Sequence, residues 1–384
     1  MTFDLSLDEL HKRRSAKWSM YDDDVLPSHY AEMDFALAPV IAEAIGHATE
    51  RGDLGYAHVP AAGLGEAFAD FALRRWDWPV DPQAVVAVPE VMVGVAELLR
   101  VLTAPDAAVV INTPVYPPFF SVIAETGRRV LEVPMLRDEE GWRLPLEGIA
   151  DAFAEGAKAL LLCNPHNPTG HVATKEELLE LAEIVAQNDA VVVSDEIHAP
   201  LSLPDATHVP FSSLPDPAGD RAIVLSSASK GWNIAGLKCA VAVAWSTPMR
   251  DALAALPVDL PDRIGHLGVV ASVSAFTEGE PWLDEIVAYL DGTRRWLPEL
   301  LAERLPGVAY EPGQATYLAW LDCRGLGLGD DPAAHFLEHG RVALSSGPEF
   351  GVPGRGFARL NIGTSRAIIE EAVNRMARAV AIST

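Results

Sequence analysis

Short apolar, often β-branched runs recur through the first two thirds of the chain, at Val85–Val88, Ala107–Ile111, Arg129–Val133, Ala159–Cys163, Ala190–Val193, Ala222–Leu225 and Cys239–Ala244. Each has the length of a strand, and runs that stay apolar at consecutive positions suit a sheet covered on both faces. Amphipathic stretches separate several of them. The clearest spans Thr174 to Gln187, where Thr174 and Glu177 have capping-box spacing and Leu178, Leu181, Ala182 and Val185 form one apolar face. This alternation predicts an α/β fold with a mostly parallel central sheet covered by helices. The rhythm changes at Pro281. A long amphipathic helix through Trp282, Ile286, Tyr289 and Leu290 runs towards Leu305, and strand-like pieces and a last helix, Ser365 to Ala381, follow. The pattern predicts an N-terminal arm (1–37) joining a small domain, a large domain (38–280) and a smaller C-terminal α+β domain (281–384).

Composition narrows the partners. The chain has 384 residues, 49% of them hydrophobic, which is ample for a sizeable core. Its net charge of −25 argues against nucleic acid and anionic membrane surfaces. No apolar stretch is long enough to span a bilayer. The first residues, Met1 to Leu10, carry Asp4, Asp8 and Glu9 instead of the apolar core of a secretion signal. Cys163, Cys239 and Cys323 are widely spaced and odd in number, and two lie in apolar runs. A reduced, cytoplasmic protein without a metal site is expected.

In open parallel sheets, ligands bind beyond the carboxyl ends of the strands. Three predicted strands end in unusual polar residues. Ala159–Cys163 passes into Asn164-Pro165-His166-Asn167-Pro168-Thr169-Gly170, Ala190–Val193 into Ser194-Asp195-Glu196-Ile197-His198, and Ala222–Leu225 into Ser226-Ser227-Ala228-Ser229-Lys230-Gly231-Trp232. Taken singly, the first reads as a turn, Asp195 as a cap, His198 as a packed imidazole and Lys230 as a solvated loop lysine. Taken together, they place an amide, a carboxylate, an imidazole, hydroxyls and an amine along one sheet edge. The chain has only six lysines, and Lys230 and Lys238 both fall in or just after the third stretch. Poor solvation at the end of a buried strand disfavours an ammonium, and the neutral amine forms a Schiff base with an aldehyde. Pyridoxal 5′-phosphate chemistry needs this set. Its aldehyde requires a lysine, its pyridine nitrogen a carboxylate and its phenolic oxygen a donor, while its ring face suits an aromatic. Its phosphate requires hydroxyls and the backbone amides of helix starts.

The order Asn-Pro-x-Asn-Pro-Thr-Gly, Asp-Glu-x-His, Ser-x-Ser-Lys and Gly-Leu-Lys resembles the fold-type-I pyridoxal-phosphate enzymes of the aspartate-aminotransferase superfamily. The match runs from Met33 to the C-terminus. Within that superfamily the chain is similar to the MalY/PatB group of cystathionine β-lyases. The residues behind the narrower likeness are Met33-Asp34-Phe35, Pro114-Val115-Tyr116-Pro117-Pro118-Phe119, Ser194 to His198 and Ser227 to Lys238. The resemblance implies that Lys230 holds the cofactor covalently, Asp195 pairs with its ring nitrogen, Asn167 donates to the phenolic oxygen and Tyr116 stacks on the ring. It assigns the phosphate to Ser227, Lys238 and the amides of a Val93-Gly94-Val95 turn that opens a helix over Ala96 to Leu102. Tyr56 matches a tyrosine that reaches the phosphate of the neighbouring subunit, which implies a homodimer with shared active sites. Arg359 matches the clamp for the substrate α-carboxylate, a role suited to a planar bidentate donor. His198 stands where aminotransferases usually have tyrosine and the lyases commonly have histidine. Pro200 departs from the group, which usually has aspartate there.

The implied reaction is β-elimination from L-cystathionine or a related cysteine S-conjugate, giving a thiol, pyruvate and ammonia. An aminotransferase would use the same lysine. A cofactor-binding regulatory protein acting through a protein partner is a third reading, and the full catalytic set speaks against regulation alone.

Overall fold

The computed structural model describes residues 5–139, 141–215 and 219–382, so the first four positions of the Met1–Leu10 stretch lie outside it. The central sheet has seven strands: β1 (Val85–Val88), β2 (Ala108–Ile111), β3 (Arg129–Glu132), β4 (Ala159–Cys163), β5 (Val191–Asp195), β6 (Ala222–Ser226) and β7 (Ala240–Ala244). Their order across the sheet is β1-β7-β6-β5-β4-β2-β3. Strands β3, β2, β4, β5 and β6 pair in parallel, and β7 runs antiparallel to both β6 and β1.

The consecutive apolar residues have a simple cause. Leu160, Leu162, Val192 and Val224 face one core, while Leu161, Val193, Ile223 and Leu225 face a second on the other side of the sheet. With a side-chain period of two, a strand buried on both faces must be apolar at every position. Helices cover both faces. Helix α1 (Val91–Leu102) packs on the second core, and helix α2 (Lys175–Gln187) on the first. The Thr174 side chain caps α2 and Glu177 returns the bond, so the capping box is formed.

Helix α3 (Glu280–Arg304) leads into a four-stranded antiparallel sheet, in spatial order Ala309–Tyr310, Leu318–Asp322, Phe357–Asn361 and Ser345–Ser346. A final helix spans Arg366–Ile382. The N-terminal segment crosses back to this end of the chain, where Leu26–Pro27 pairs in parallel with Val342–Ala343. Among the described residues no helix is long and apolar enough to cross a membrane, and no group of His, Cys, Asp and Glu could hold a metal ion.

Candidate active site

Adjacent parallel strands β4, β5 and β6 end at the same edge, because Cys163 lies opposite Asp195 and Asp195 opposite Leu225 in register. The three polar stretches that follow therefore converge. Asp195 is buried, and its carboxylate accepts the Ile197 amide at 3.1 Å. Burial pushes it up to about 7, because an unpaired carboxylate is poorly solvated there. His198 is buried with its Nδ1 unpartnered, and burial followed by the fields of Lys230 and Arg359 lowers it to about 3, so the ring is neutral.

Lys230 lies in a single helical turn, Ala228–Gly231, which the Ser227 hydroxyl caps. Its Nζ donates to the Ala31 carbonyl at 2.9 Å. Burial and then Arg359 bring it down to about 8. Arg359, in the strand Phe357–Asn361, is buried over the Phe350 ring. It donates to Asn167 Oδ1 at 3.0 Å and to the His29 carbonyl and Ser345 Oγ, each at 2.9 Å, while its Nε has no partner among the described residues. The Asn167 amide nitrogen makes no hydrogen bond among the described residues. Lys230, Arg359 and the half-buried Tyr116 line one cavity of about 490 Å³. Burial pushes the Tyr116 hydroxyl up to about 12, so it stays a proton donor.

Three expectations are changed or left apart. Helix α1 begins at Val91, so Val93-Gly94-Val95 is helical and not a turn. The Gly94 amide is spent on the Glu90 carbonyl, and the free amides of the first turn lie at or before Val93. Gly94 serves packing instead. A Cβ there would come within 2.7 Å of Leu225 Cδ2 and 3.3 Å of Val88 Cγ2. Lys238 reaches this helix start but pairs with Glu90, and the Ser227 proton is committed to the Cys239 carbonyl at 2.7 Å. Tyr56 stands apart altogether. It is 85% exposed and lines a separate open groove with Asp53 and His266.

The N-terminal segment contributes what side-chain motifs do not reveal. The carbonyls of His29 and Ala31 receive Arg359 and Lys230, and Tyr317 also donates to Ala31 at 2.8 Å. Asn233 brackets Met33, accepting its N–H at 2.8 Å and donating to its carbonyl at 2.7 Å. Pro200 is buried in a short 3₁₀ turn and packs against Gly231, behind the lysine.

The donor set fits pyridoxal phosphate. Among the described residues, an amine of lowered basicity lines the cavity, a buried carboxylate that makes no ion pair lies at the adjoining strand end, and His198 offers an unpartnered ring nitrogen.

The chain is 37% identical to the cystathionine beta-lyase of Corynebacterium glutamicum, covering 97% of this chain and 98% of that one. It is 32% identical to the cystathionine beta-lyase PatB of Bacillus subtilis, covering 99% and 100%. The crystal structure of cystalysin from Treponema denticola, which contains a pyridoxal 5′-phosphate cofactor, superposes with a TM-score of 0.91 at 26% identity over 100% of this chain and 99% of that one. Residues 30–376 match the model of the aminotransferase class I and II family. With one sheet edge carrying the chemistry and the match spanning nearly the whole chain, this protein belongs to the class I and II aminotransferase family.

Proposed function

We propose that this protein is a pyridoxal-phosphate-dependent carbon–sulfur β-lyase that converts L-cystathionine or a related cysteine S-conjugate, with water, into a thiol, pyruvate and ammonia. The observation that carries the reading is the meeting of Lys230 and Arg359 in one cavity, beside the strand ends that bear Asp195, Asn167 and His198. The full-length relatives named cystathionine beta-lyase support the sulfur substrate.

In this reading Lys230 holds the cofactor, Asp195 its ring nitrogen, and Asn167 and His198 its phenolic oxygen, with Tyr116 against the ring. The phosphate falls to Ser227, Lys238 and the first-turn amides of α1, of which Val93 remains from the expected trio. Bound there, the cofactor supplies an electron sink for the charge left when the substrate Cα loses its proton. Arg359 anchors the substrate carboxylate, using Nε, unpartnered among the described residues, and Nη2, which now donates to the His29 carbonyl and the Ser345 hydroxyl. The Lys230 amine, brought down to about 8, takes the Cα proton at Nζ near neutral pH. Burial favours a hydrogen-bonded, charge-neutralised Asp195 over a bare carboxylate. The His29–Ala31 segment lines one side of the cavity, where its carbonyls receive Lys230 and Arg359.

The exposed Tyr56 accords with a homodimer in which it serves the partner's site. The three buried free thiols accord with a reduced cytoplasmic setting. The passage from the Leu26–Pro27 strand to the central sheet at Val85, and from Ala244 to the second sheet at Ala309, accords with an arm, a large and a small domain. The family description itself favours an aminotransferase as the second reading. One assay separates the two. Loaded with cofactor and given L-cystathionine without any 2-oxo acid, the protein should release pyruvate and free thiol steadily and in equal amounts. Absence of both, with amino-group transfer appearing once a 2-oxo acid is added, would make it an aminotransferase.

A further inference from the structure

The cavity that holds Lys230 and Arg359 continues to a wall built by the helix Pro332–Gly340 and the turn Gly347–Phe350. Both of the cavity's cations are committed in the reading above, Lys230 to the cofactor and Arg359 to the substrate α-carboxylate. Among the described residues, the remainder of the wall carries no lysine or arginine. It carries two carboxylates, Asp331 and Glu349, beside the apolar side chains of Met20, Leu337 and Leu344.

The two carboxylates differ. Asp331 is engaged as the cap of its helix, accepting the Ala334 amide at 3.3 Å, and it also accepts the Ser346 hydroxyl at 2.9 Å. The Glu349 carboxylate makes no hydrogen bond and no ion pair among the described residues. It nevertheless lies close enough to Arg359 to favour the charged guanidinium. Arg359 is 5% exposed with its Nε unpartnered, so the cavity is prepared for one carboxylate. His29, between the rings of Tyr21 and Tyr30, adds a neutral imidazole to the same wall, because burial and the fields of Lys17 and Arg359 lower it to about 4.

A substrate held by Arg359 must extend its sulfur substituent into the space that remains. A second negative charge there meets Glu349, exposed on the cavity wall, with no further lysine or arginine among the described lining residues to offset it, and even in water two like charges about 4 Å apart repel by about 1 kcal/mol. We propose that Glu349, backed by Asp331, is the specificity residue for the sulfur substituent, so that cysteine conjugates with uncharged, mainly apolar tails are preferred over those whose tail ends in a carboxylate. L-Cystathionine, whose tail carries both an ammonium and a carboxylate, falls between them. The inference rests on the lyase reading for its substrate class.

Two conjugates of nearly equal shape make the test. S-(3-methylbutyl)-L-cysteine ends in two methyl groups, and S-(2-carboxyethyl)-L-cysteine in two carboxylate oxygens. Pyruvate release by the cofactor-loaded enzyme would be measured for each. Affinity for their analogues with CH₂ in place of sulfur, which have no leaving group, would be measured by calorimetry. The uncharged member should be favoured about fivefold in both readouts, as expected for one like charge at close range beside an exposed carboxylate. Glu349→Gln should raise kcat/KM and affinity for the carboxylate-bearing member about fivefold while leaving the uncharged member within about twofold. Equal use of the two conjugates, or an equal effect of Glu349→Gln on both, would overturn the proposal. Should neither conjugate nor L-cystathionine yield pyruvate, the lyase reading falls, and the calorimetric ratio still decides the role of Glu349.

Discussion

At Lys230, burial and the Arg359 charge act in the same direction, and both favour the neutral amine, which brings its pKa from 10.5 to about 8. An amine must be neutral to attack an aldehyde. The rate of covalent uptake of pyridoxal phosphate by the cofactor-free protein should therefore rise about tenfold per pH unit below pH 8 and level off above it. Stopped-flow absorbance would follow this, and a rate still climbing steeply past pH 10 would show an ordinary lysine. This residue, with Asp195, Asn167 and His198, was legible in the sequence for a physical reason. Each is a polar group placed where a fully buried strand stops, and the strands themselves are unmistakable. The groups that complete the site were not legible. The His29 and Ala31 carbonyls act through the backbone, which has no sequence signature, and Glu349 reads as one of many surface acids in a chain of net charge −25.

Element by element, the features that depend on near neighbours are the ones the sequence reveals. Thr174 and Glu177 form their capping box, and β1 and β4 occupy the residues expected of them. The start of α1 is different. A glycine among valines at 91–95 reads as a turn, yet the helix runs through it because Gly94 faces β6 and is needed for its lack of a side chain. That requirement comes from residue 225, far along the chain, so no local pattern announces it. Gly94→Ala should press a methyl group into Leu225 and Val88, cost about 1–3 kcal/mol and lower the melting temperature. Adding Leu225→Val, which shortens the side chain in conflict, should recover part of the loss in thermal unfolding. If Gly94→Ala is as stable as the parent, the close approach of α1 to the sheet is not what retains this glycine.

Across the whole molecule, the N-terminal segment is what ties the C-terminal part of the chain to the cavity. It pairs with Val342–Ala343 at one end, meets Asn233 beside the lysine turn at the other, and carries the carbonyls that receive Lys230 and Arg359 between them. Its anchor is the Lys17–Asp34 ion pair at 2.7 Å, with both side chains 1% exposed. Trp18 Nε1 donates to the other Asp34 oxygen at 2.8 Å, and Lys17 also donates to the Glu32 carbonyl at 3.1 Å. Met33-Asp34-Phe35 stood out in the sequence, but its partner seventeen residues earlier did not, since a lysine in a polar stretch looks solvated. Asp34→Asn keeps an oxygen for Trp18 and removes only the charge, so it leaves Lys17 buried without a counter-ion. Such a loss costs about 3–5 kcal/mol, whereas removing both charges together is far less damaging. Thermal unfolding should therefore rank Asp34→Asn below the Lys17→Met/Asp34→Asn double variant, although the double variant carries more changes. Because the segment holds the cavity's two cations, the single variant should also take up pyridoxal phosphate more slowly, and the double variant should regain most of that rate. If the two variants melt together, the pair is not the anchor, and the segment is held by its backbone pairing and by other side chains such as Asn233, Tyr317 and Asn361.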